Sequence, residues 1–199
     1  GGFSSASSEA LVVLSRDENK PTTLNSADVN NPSTCSGNVN GGGKATIYTT
    51  ADGTLKEPAD YVYFGPYAYD NLRVLAGNAD INGDGVDDLV IGSDLWHSSA
   101  GGVTVLYGPG ENTSAKGELI CDTPEVLGAT NSDKLGYSLT TLQDLNNDGC
   151  AEVAIGAPSD STQGGGGSIT ILWGWQNTPC DGTVCCPTQP QVSTLKTRA

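Results

Sequence analysis

The residues best equipped for chemistry stand in two short segments, DINGDGVDDLVIGS (80–93) and DLNNDGCAEVAIGAP (144–158). Each places an acidic or amide side chain at every second position and then turns apolar. In the first, Asp80, Asn82, Asp84 and Asp88 occupy loop positions 1, 3, 5 and 9, and the backbone carbonyl of Val86 falls at position 7. In the second, Asp144, Asn146, Asp148, the carbonyl of Cys150 and Glu152 repeat that spacing. Hard oxygen donors on alternating residues are what a chain offers to wrap a calcium ion. Gly85 and Gly149, at position 6, permit the sharp turn such a loop needs. Magnesium would keep several of its waters, whereas these ligands are all supplied by protein, so calcium is the expected metal.

An EF-hand would close its loop with a bidentate Glu at position 12. That position holds Ile91 in one loop and Ile155 in the other. The closing carboxylate must therefore be Asp88, with Glu152 as its counterpart. Asp-Gly and Asn-Gly pairs also build metal-free hairpin turns. Two copies with one ligand spacing favour the metal, because carboxylates crowded into one loop repel each other until a cation relieves them.

The elements that position these loops repeat as well. Asp80 and Asp144 lie 64 residues apart. Each loop runs into a short apolar segment, DLVIGS (88–93) or EVAIGAP (152–158). A Gly-Gly strand follows, GGVTVLYGPGENT (101–113) or GGSITILWGWQNT (166–178), and NLRVLAG (71–77) or LGYSLTTL (135–142) precedes. A third, degenerate copy keeps the Gly-Gly strand (42–54), with ADVNNPSTC (27–35) as an apparent remnant of the acidic loop. YVYFG (61–65), GELIC (117–121) and PQVSTLK (190–196) are the expected fourth strands. β-Branched residues favour strands, and no sustained 3.6-residue period exists, so helix should be scarce. The expectation is an all-β chain of about three propeller-like blades, each of four antiparallel strands, the first degenerate. The units span 1–66, 67–130 and 131–199.

The balance of 9 basic against 23 acidic residues gives a net charge of −14. That argues against nucleic acid, which requires a basic face. No run of 18 apolar residues is present to cross a membrane as a helix. Six cysteines, Cys35, Cys121, Cys150, Cys180, Cys185 and Cys186, suggest disulfides and an oxidising, extracellular setting. They allow 15 pairings. CDGTVCC (180–186) reads as a local knot turning at Asp181-Gly182. Zinc is disfavoured, since His97 is the only histidine. Asn112-Thr113-Ser114 is an open glycosylation sequon in a turn-like stretch. The chain lacks methionine and starts Gly1-Gly2. A start methionine and a signal peptide are expected to lie outside it.

LGYSLTTLQDLNNDGCAEVAIGAP (135–158), with the Gly-Gly strand ending at Trp173-Gly174, resembles the FG-GAP repeat of integrin α-subunit propellers. The copy around Asp80 matches from its loop onward, with IGS in place of IGAP. The resemblance covers 71–108 and 135–174 well and 27–50 poorly. It implies propeller blades, each holding a structural calcium ion in the loop between its first two strands, with partners meeting the propeller elsewhere. That family usually closes seven blades, and three units leave edges that invite assembly.

Two other function classes compete. Ser98 and Ser99 lie beside His97, but no nucleophile-elbow pattern exists, so a fragment of a calcium-dependent polysaccharide-degrading or lipase-type enzyme carries little weight. A lectin-like module would use aromatic faces. Trp96 and Trp175, in loop-like positions, are the better contact residues, while Trp173 sits in a strand register that favours packing. The sequence thus points to an extracellular repeat protein with about two structural calcium ions. It would act in adhesion or self-assembly through protein contacts, with glycan as an alternative ligand.

Overall fold

Alternation of apolar and polar residues commits this chain to strands, and the computed structural model shows how they pair. It describes residues 10–15, 43–51, 54–55, 61–64, 71–108, 118–120, 126–162, 166–176 and 186–196. The strands are β1 (Ala10–Ser15), β2 (Lys44–Ala51), β3 (Thr54–Leu55), β4 (Tyr61–Phe64), β5 (Leu72–Ala79), β6 (Asp88–Ser93) and β7 (Gly102–Leu106). They continue with β8 (Glu118–Ile120), β9 (Val126–Leu127), β10 (Ser138–Thr141), β11 (Val153–Ala157), β12 (Ser168–Trp173) and β13 (Gln191–Lys196). The chain is all-β in character. The one helical segment among the described residues, α1 (Trp96–Ser99), is a left-handed turn, with φ of +48°, +60° and +63° at His97, Ser98 and Ser99.

Two sheets are propeller-like blades of four antiparallel strands in sequence order. The middle sheet runs β5-β6-β7-β9 and the last runs β10-β11-β12-β13. The first sheet runs β1-β2-β4-β8, with β3 hairpinned on β2. The expected fourth strands at 61–65 and 190–196 take those places. Glu118–Ile120 does not. It pairs parallel to β4 in the first sheet, and Val126 and Leu127 close the middle one against Val103 and Gly102. Strand propensity favoured GELIC, but tertiary pairing decided the position. In the first sheet, β1 pairs with the Gly-Gly strand β2, as β6 pairs with β7. The segment 27–35 therefore falls between counterparts of the second and third strands. An acidic-loop remnant would have to precede β1. Residues 27–35 themselves lie outside the described residues, as do Cys35, Asn112, Cys121, Cys180 and Cys185.

Period-two alternation sends the middle sheet's side chains into two cores. Leu89, Ile91 and Leu106 pack toward the first sheet with Ala45, Ile47, Tyr63 and Leu72. Val90, Val103 and Val105 pack toward the last sheet with Val153, Ile155, Ala157 and Leu172. All of β6 and β7 is buried in consequence, which explains their near-continuous apolar sequences. The last sheet buries only one face. On the other, Ile169 is 47% and Leu195 67% exposed, and the two are paired neighbours on β12 and β13.

The middle and last sheets are also clamped along their edges. Gly101 bridges Leu135 in parallel, and Leu135 N donates to Ala100 O at 3.0 Å. The Arg73 guanidinium lies 3.8 Å above the Tyr137 ring, and its Nε donates to Tyr137 O at 3.2 Å. Asp94 holds the other side of Arg73 at 3.8 Å. Within the last sheet, buried Asp160 ties the β11–β12 turn to β13. It accepts from Thr162 Oγ1 at 2.6 Å and Thr162 N at 3.0 Å, and pairs with Lys196 Nζ at 3.8 Å. Lys196 Nζ also donates to Thr162 Oγ1.

The Thr162 hydroxyl and amide, helped by Lys196, pull the Asp160 carboxyl down to about 2 from an ordinary 3.8. A depressed folded-state value stabilises the fold fully above the unfolded value, and the benefit is lost as pH falls through the folded one. Asp160→Ala should lower the melting temperature by a few degrees at neutral pH. The gap from the parent should close as pH drops from about 4 to about 2. A gap that stays constant in thermal melts across that range contradicts this role.

Candidate metal centre

The two acidic loops occupy equivalent places, between β5 and β6 and between β10 and β11. Each is the connection between the first two strands of its sheet. The β11 and β6 strands that follow are pinned in the apolar cores, so the loops' C-terminal anchors are rigid.

Their internal hydrogen bonds match residue for residue. Asp84 N donates to Asp80 Oδ1 at 3.0 Å, and Gly85 N donates to Asp80 Oδ2 at 2.7 Å. Asp148 N and Gly149 N donate to the two oxygens of Asp144 at 3.1 and 2.9 Å. The Asn82 and Asn146 carbonyl oxygens each accept the amide two residues on, at 3.1 Å. Val86 N donates to Asp84 at 2.8 Å, and Cys150 N to Asp148 at 3.0 Å. Asn82 and Asn146 also donate from Nδ2 to Asp84 and Asp148, at 3.1 and 2.8 Å. Gly85 and Gly149 have φ of +85° and +94°, a conformation that a side chain resists.

The loops differ at position 9. Asp88 is buried and spends both oxygens on backbone amides, from Ile81 and Gly108, each at 2.8 Å. Burial pushes its carboxyl up to about 7 against those two amides, and Asp84 and Asp80 add repulsion. Burial raises Asp80 as well, opposed by the loop amides. Glu152 is fully buried, and only its Oε2 is satisfied, by Leu145 N at 2.7 Å. Its Oε1 makes no hydrogen bond. Burial raises the Glu152 carboxyl, Leu145 N lowers it, Asp148 and Asp144 raise it further, and the Gly174 amide lowers it without making a hydrogen bond as good as the one from Gly108 to Asp88. Oxygens of Asp144, Asp148 and Glu152 lie within 4.8 Å of one another. A buried carboxylate with one oxygen unpartnered, grouped with two further carboxylates, is costly without a cation. This donor set fits a hard divalent ion. The second loop thus draws its three carboxylates together, while in the first Asp88 has turned to the backbone.

The loops are not independent. Ala151 N, between Cys150 and Glu152, donates to Asp80 O at 2.8 Å, and Trp175 N donates to Ile81 O at 3.0 Å. A disulfide joins Cys150 to Cys186 across 36 residues. Cys186 therefore belongs to this loop and not to the local CDGTVCC knot. Nothing in the spacing pointed to that partner, which is set by packing of the segment before β13.

The aromatics fill gaps between units more than they offer faces to a ligand, and the two preferred contact candidates are the buried ones. Trp96 and Trp175 are buried, and Trp175 meets Tyr107 edge-on with ring centroids 6.0 Å apart. Trp173 is half-buried, and its Nε1 donates to Ser193 Oγ at 2.9 Å. Loop positions suggested exposure, but both rings are buried, Trp175 within the core shared by the middle and last sheets. His97 is exposed, with its ring 5.0 Å from that of Trp96. No described helix is long and apolar enough to cross a membrane.

Comparison with known proteins matches the FG-GAP repeat to residues 75–106 and 135–172. These run from within β5 to the end of β7 in the middle sheet, and from just before β10 into β12 in the last. Integrin alpha-PS2 of Drosophila melanogaster is 36% identical over 98 residues, covering 44% of this chain and 7% of that protein. Human integrin alpha-7 is 33% identical over 101 residues, covering 48% of this chain and 8% of that protein. The chain thus spans less than a tenth of the length of either relative.

Replacing Glu152 by Gln keeps an acceptor for Leu145 N and removes one of three crowded charges. In chelator, Glu152→Gln should raise the melting temperature by a few degrees, or about 1 kcal/mol of stability. A lower melting temperature than the parent contradicts the charge-crowding account.

Proposed function

We propose that this chain, which carries two FG-GAP repeats of the integrin α type, is an extracellular β-propeller-type module that uses calcium to hold its shape. Its role is adhesion or assembly through protein contacts. The observation that carries the metal reading is the fully buried Glu152, whose Oε1 lacks a hydrogen bond and whose carboxylate has an oxygen within 4.8 Å of oxygens of Asp144 and Asp148. Asp144, Asn146, Asp148, Glu152 and the Cys150 carbonyl would hold one ion. Asp80, Asn82, Asp84, Asp88 and the Val86 carbonyl would hold the other, once Asp88 gives up a backbone partner. A bound cation offsets the repulsion and stiffens the turn that joins two strands.

The metal is structural in this account. The loops sit on the seam between two sheets and are tied into it by Ala151 and Trp175. A cation there strengthens the scaffold and leaves partner recognition to other surfaces. The unburied face of the last sheet supports a contact role, because Ile169 and Leu195 form an apolar pair in solvent. The lectin-like reading loses support, since its two preferred contact residues, Trp96 and Trp175, are buried. Secretion is supported by the disulfide and by the kinship with integrin α chains.

Two measurements test the proposal. Calcium should raise the calorimetric melting temperature, by an amount that grows with its concentration, and chelator should reverse this. Asp84→Ala and Asp148→Ala should each lose part of that response, and an unchanged melting temperature sinks the metal reading. For the contact role, light scattering should report a species larger than one chain. The pair Ile169→Asp and Leu195→Asp should return it to the mass of one chain without unfolding it. A lone chain at all concentrations argues against self-assembly.

A further inference from the structure

We infer that the Cys150–Cys186 disulfide sets how tightly the second acidic loop holds calcium, and that calcium in return shields this disulfide from reduction. The inference rests on the metal reading proposed above. Cys150 occupies position 7 of the loop, between Asp148 and Glu152, and its amide already orders the Asp148 carboxylate at 3.0 Å. The Cys150 sulfur, the Cys186 sulfur and a carboxylate oxygen of Asp148 lie within 4.8 Å of one another, so the cross-link stands directly against one of the loop's candidate ligands.

The cross-link reaches the segment that enters β13. Cys186 Sγ lies 3.6 Å from Asp148 O, and Gln176 N donates to Pro187 O at 2.9 Å. Both half-cystines are buried, Cys150 completely and Cys186 to 4% exposure. The first loop also leans on the bond. A Cβ added to Gly83 would stand 3.2 and 3.3 Å from the two sulfurs and 2.5 Å from Gln176 Nε2. The disulfide is thus wedged between both acidic loops.

Two consequences follow. The cross-link restricts the loop before any ion arrives, so less ordering remains to oppose binding. Reduction also requires access. An attacking dithiol must reach a sulfur that the loop covers, so it acts on a locally opened form. Calcium binds the closed form and depletes the open one. The reaction balances: the dithiol's two thiols become one cyclic disulfide, the Cys150–Cys186 bond breaks, and two protein thiols form. Because linkage is reciprocal, whatever factor the disulfide adds to calcium affinity, calcium adds to the equilibrium constant for keeping the disulfide oxidised, while the rate of reduction falls as the open form is depleted.

The test uses the native chain, dithiothreitol, and either calcium or chelator. Timed alkylation followed by peptide mass spectrometry reads the thiols of Cys150 and Cys186. Calcium should slow their appearance on the order of 10-fold. In Glu152→Gln, which loses a ligand and keeps both cysteines, that protection should shrink to nearly none. Equal labelling rates with and without calcium, in a chain shown by dialysis to bind it, overturn this inference and leave the metal reading standing. A chain that binds no calcium at all overturns both.

Discussion

Burial of the position-9 carboxylates is the constraint around which the rest of this molecule is arranged. Asp88 and Glu152 sit at the inner ends of their loops, where strands β6 and β11 enter the apolar cores. An ionised carboxylate in such a place must find donors or a counter-ion, or take up a proton. Asp88 takes amides from Ile81 and Gly108, and burial still lifts it to about 7. Glu152 takes one well-formed amide bond, from Leu145, and only a weak contribution from the Gly174 amide, so its Oε1 lacks a hydrogen bond. The same burial that makes these groups costly gives them rigid placement, which a flexible surface loop could not.

That placement matters beyond each loop because the loops form part of the seam between two sheets. Apolar packing of Val90, Val103 and Val105 against Val153, Ile155 and Leu172 supplies most of the attraction across it. The polar rim then fixes the register: Ala151 and Trp175 bond to the carbonyls of Asp80 and Ile81, and Arg73 spans from Asp94 to Tyr137. A change in one loop's order is therefore felt by its neighbour through short, buried links. The disulfide adds a covalent tie at the same point, between the second loop and the segment leading to the last strand.

Much of this was legible in the sequence. Ligand spacing located both loops, and β-branched runs located β6, β7, β11, β12 and β13, because local preference and burial agree there. Where they disagree, sequence misled. GELIC is a better strand than EVLG on propensity alone, yet Val126 and Leu127 lie beside Val103 and Gly102 and take the edge. ALVVLS lies outside both well-matched repeats, yet it supplies β1 and shows where a first-sheet acidic loop would belong. Trp96 and Trp175 look exposed on a loop reading yet are buried, Trp175 only once two sheets meet. The partner of Cys186 lies 36 residues upstream, beyond the reach of any local pattern. The divergence of Asp88 from Glu152 was equally hidden, since it depends on which backbone amides come within reach.

The central claim is that two matched acidic loops are cation sites built into a structural seam. Equilibrium dialysis of the oxidised chain against calcium at neutral pH tests it most directly. The account predicts two bound ions per chain, falling to one in Asp148→Ala. Finding no bound calcium at millimolar concentrations, the weak end for extracellular sites at roughly 10⁻³ M, would contradict it.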